Sequence, residues 1–70
     1  MHSAASLERV SLLLRAHNQL AEINQLFLDV DYWNSIHPTE KPIDADPDGQ
    51  LRRIAAGLRR MLVTANRTQP

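Results

Sequence analysis

The chain predicts an all-α fold: a two-helix antiparallel hairpin that dimerises into a four-helix bundle. Three observations lead there. Residues 3–36 contain neither glycine nor proline and repeat apolar residues at the helical period. Pro38, Pro42 and Pro47 then crowd into a short stretch that a regular helix does not tolerate. A second amphipathic stretch follows, with one apolar face and one arginine face. All 70 residues form a single domain under this reading.

The first helix is expected over about residues 3–36. At about 100° per residue its apolar side chains fall on two arcs. Leu13, Ala16, Leu20, Ile23, Phe27 and Val30 make a seam spaced alternately by three and four, with Leu12 and Leu26 at its edge. Leu7, Val10, Leu14, Ala21 and Leu28 make the second arc. One neighbouring helix covers one seam, so two arcs call for two neighbours.

Pro38 biases His37 away from helix, and residues 37–46 are expected to form a stiff connector that Ile43 anchors to the helices. The second helix is expected from about Pro47 to Asn66. Its apolar face gathers Leu51, Ile54, Ala55, Leu58, Met61, Leu62 and Ala65, and the residues from Arg67 to Pro70 are expected to fray. Gly57 is costly in a helix interior and suggests that another backbone passes close by.

Lengths then decide the assembly. At 1.5 Å per residue the helices span about 50 and 30 Å. The second is expected to cover the first only back to about residue 15. That leaves Leu7, Val10, Leu12, Leu13 and Leu14 as the oligomer interface, because so large an apolar cluster in water is unusual. A small chain without cysteine also has no disulfide to stabilise it, so a second copy is the simplest support.

Net charge is zero but segregated. Residues 29–48 hold six acids against Lys41, and residues 49–70 hold five arginines and no acid. The "DADPDG" stretch begins like a calcium loop, which makes Asp44, Asp46 and Asp48 a weak metal candidate. The clamping carboxylate belongs twelve positions from Asp44, where Ala55 stands. The favoured reading is a helix start. Asp46 caps, Pro47 takes the first helical position, and Asp48 adds charge to the first turn.

The arginine face is the leading partner surface: Arg52, Arg53, Ala56, Arg59, Arg60 and Val63, with Arg67 beyond. Tyr32 and Trp33 join it as candidate anchors, although packing beneath the connector is the favoured role for both. His2, His17 and His37 are too scattered for a metal motif. No phosphate loop or nucleophile arrangement stands out, so no enzyme, cofactor or small-molecule substrate is expected. No run reaches the roughly 20 apolar residues of a membrane span, and no leader precedes the chain's apolar start, so a cytoplasmic location is expected. The architecture is similar to small dimeric helical-hairpin regulators, an analogy of fold alone. The expected function is that of a non-enzymatic regulatory protein that associates with itself and binds or inhibits a protein partner. The alternative is RNA or DNA binding through the arginine face.

Overall fold

In the computed structural model, which describes residues 3–67, the chain is a two-helix hairpin. Helix α1 spans Ala4–Ile36 and helix α2 spans Gln50–Arg67. No strand occurs among the described residues, and no helix there is long and apolar enough to cross a membrane. His2 and the stretch from Thr68 to Pro70 lie outside the described residues. The hairpin measures 57 × 20 × 15 Å.

Helix α1 begins where its chemistry permits. Ser3 is extended, and its hydroxyl accepts the Ser6 N–H at 3.1 Å, which satisfies one of the orphan donors of the first turn. The helix ends just before Pro38. There the His37 N–H donates to the Trp33 carbonyl, and the two rings stack with centroids 4.6 Å apart.

The expected seam is the one that α2 covers. Leu13, Leu20, Ile23, Phe27 and Val30 are half-buried along it and Ala16 is buried, and Ala55 is buried on the facing side of α2. The same 3-4 spacing continues past the apolar residues, to Arg9 at one end and Asn34 and His37 at the other. Those ends act as clamps. The Arg9 guanidinium donates to the Ala65 carbonyl at 3.1 Å, satisfying a last-turn acceptor of α2 and complementing its dipole. The Asn34 amide pairs twice with the backbone of Ile43, donating to its carbonyl and accepting its N–H, each at 2.9 Å.

Four expectations need correction. First, the connector runs to Gly49 rather than 46, and α2 begins at Gln50 rather than near Pro47. Gly49 adopts φ +72°, a left-handed kink that keeps Pro47 and Asp48 out of the helix. Second, Ile43 does anchor the connector, but through its backbone; its side chain is exposed. Third, the connector folds back along the last turns of α1 before α2 starts. This displacement carries α2 further, so that it reaches level with Arg9 rather than residue 15. Fourth, α2 extends through Arg67 rather than ending at about Asn66.

Candidate protein-interaction surface

Asp46 is the one buried charged residue among those described, at 5% exposure. Its carboxylate accepts the N–H groups of Leu51 at 2.9 Å and Arg52 at 3.1 Å, and the Arg52 guanidinium lies 3.4 Å away. The helix proper is preceded by a glycine with no side chain to cap it, so an acid three residues further back supplies the acceptor. Charge-assisted bonds of this kind are the strong ones. Asp44 accepts the Asp46 N–H, and Asp48 offers its carbonyl to Arg53. The acidic stretch is thus engaged in holding the start of α2. Among the described residues no three side chains come together as a metal site.

The arginine face divides. Arg52 pairs with Asp46 and lies over the Phe27 ring, 5.7 Å from its centroid. Arg59 donates to the Asn24 side chain at 3.5 Å, and Arg53 to the Asp48 carbonyl at 3.3 Å. All three contact their own chain, Arg52 and Arg59 on the side of α2 that reaches α1 and Arg53 on another. Arg60 and Arg67 are exposed on the side of α2 turned away from α1, with Val63 exposed on the same arc and Ala56 half-buried. Tyr32 and Trp33 also part company. Trp33 is half-buried on His37, whereas Tyr32 is 66% exposed.

The leucine cluster is divided in the same way, because consecutive residues on a helix point about 100° apart. Leu13 belongs to the covered seam and is half-buried. Leu12 turns to one flank, where with Ala5, Glu8, Arg9, Leu13 and Met61 it lines an open groove. A second hollow continues that groove past Leu12, Arg15, Ala16, Gln19 and Leu58. Leu7, Val10 and Leu14 lie on the back of α1, away from α2, in line with Leu28 and Tyr32; Leu14 is 57% exposed. The structure therefore presents two apolar surfaces: a flank groove built by both helices and a back row on α1 alone.

Sequence reasoning missed Arg9 and Asn34 as structural residues. Both continue the 3-4 spacing of the seam, and that periodicity was the available signal. Compared with protein-family models, curated proteins and solved structures, the chain matches none.

Proposed function

We propose that the chain is a non-enzymatic helical module that associates with itself and binds a protein partner, restraining that partner by occupying one of its surfaces. One observation carries this reading. Among the described residues no large side chain is fully buried, while twelve large apolar side chains are exposed. Folding alone leaves so much apolar area in water that the hairpin gains little from it. Each exposed Leu or Ile that a neighbour buries contributes about 1.5–3 kcal/mol, so association supplies what the core lacks.

The partner surface is the Arg60, Arg67 and Val63 arc on the outer side of α2; the back row of α1 faces the opposite way and offers a separate apolar contact. An acidic protein segment fits that chemistry, since guanidinium groups pair with carboxylates bidentately. The openings along the hairpin are shallow grooves with chiefly apolar linings, which supports a binding role over catalysis. A reducing, cytoplasmic setting accords with a chain that uses no cysteine.

Sedimentation equilibrium tests the reading. A mass above one chain, with helicity that rises with concentration, is the expected result. A stably folded single chain at every concentration would overturn it. Filter binding to structured RNA, titrated with salt, tests the rival. Steeply salt-dependent retention would move the arginine face to nucleic acid.

A further inference from the structure

We infer that a second copy of this chain occupies the flank groove, with its α2 lying against the first copy's α1, about a two-fold axis parallel to the helices. The inference rests on the self-association proposed above and specifies its geometry.

Both helices contribute to the groove. On α1, Ala5, Leu12, Gln19, Leu26 and Trp33 recur every seven residues and so share a side. On α2, Met61 lines the groove beside Leu12, and Ile54, seven residues earlier, shares its side. Leu12, Leu26, Ile54 and Met61 all remain exposed. The back row is a poorer seat for a second copy. His17, Asn24 and Asp31 fall on the line seven residues apart that begins at Val10, and packing there would desolvate them.

Gly57 points the same way. It lies in the interior of α2, where glycine is unfavourable, and its own chain does not require it. A side chain there would meet only the tip of Arg60, at 3.9 Å. It faces the groove side, a turn from both Ile54 and Met61. A glycine without need in the monomer suits close approach by another helix.

Charge selects the arrangement. Arg9 lies level with Ala65, and Ala16 lines the same hollow as Leu58. By the common rise of the two helices, Glu22 then lies within one residue's rise of the level of Arg53. A two-fold axis parallel to the helices sets Glu8 and Glu22 on the rim of α1 opposite Arg67 and Arg53 of the second copy, with Arg15 between them opposite Arg60. A perpendicular axis would instead set α2 against α2, with the Arg53 and Arg60 rims of both copies along one seam, where like charges repel.

The chain has no cysteine, so single-cysteine variants report directly. Glu22→Cys and Arg53→Cys proteins, mixed and treated with a short bis-maleimide, are expected to cross-link to each other faster than either does to itself. Gly57→Leu, with helicity checked by circular dichroism, is expected to weaken self-association about tenfold or more. Leu14→Glu should change it by no more than about twofold. Dominant Glu22→Cys self-pairing would overturn the geometry. So would an assembly that Leu14→Glu dissociates and Gly57→Leu spares, though self-association itself would survive. A single chain at every concentration would remove both.

Discussion

The two apolar lines of α1 are similar in composition and opposite in fate. Leu13, Leu20, Ile23, Phe27 and Val30 are half-buried along the seam that α2 covers, while Leu7, Val10, Leu14 and Leu28 stay exposed. What separates them is the interleaved residues. Along the covered seam every intermediate position is apolar or small, and polarity appears only at its ends, as Arg9 and Asn34. Along the back line, His17 and Asn24 interrupt the middle. A helix therefore chooses its intramolecular partner by continuity of the stripe and by what stands at its ends, more than by leucine count.

Matched substitutions break or sharpen that contrast. At concentrations where a single chain prevails, Leu20→Ala is expected to cost about 2–3 kcal/mol in urea unfolding, whereas Leu14→Ala should stay within about 0.5 kcal/mol. Equal effects would mean that the two lines are not distinguished by packing. Asp46→Ala should come next, at about 2 kcal/mol, because two first-turn N–H groups lose their acceptor and Arg52 its ion partner. Its helix signal should fall chiefly in α2, as hydrogen exchange at Leu51 and Arg52 would show. Asn34→Ala should cost about 1–2 kcal/mol and release the connector, read as faster exchange at the Ile43 amide. The smallest effect belongs to Arg9→Ala. About 0.5 kcal/mol is expected there, screened by added salt.

Much of this was legible beforehand. The two helices, the Ser3–Ile36 stretch, the covered seam and the capping role of Asp46 all follow from periodicity and from the stop at Pro38. The start of α2 was not, because a Pro at the first helical position and a Pro in a turn before a left-handed glycine look alike until the Gly49 backbone is seen. Nor was the register between the helices. It depends on how far the connector doubles back, and that path is set by one amide, Asn34, pairing with a backbone 9 residues away. The division of the leucine cluster has a simpler reason. Leu12, Leu13 and Leu14 are consecutive, and a helix turns each to a different sector.

The long, thin outline has a consequence for how any assembly would tumble and scatter. A copy laid alongside would leave the greatest dimension near 57 Å and thicken only the cross-section, by about one interhelical spacing of 8–10 Å. Copies joined end to end would instead nearly double that dimension. The pair-distance distribution in small-angle X-ray scattering therefore separates a stout rod from a slender one without any mutation.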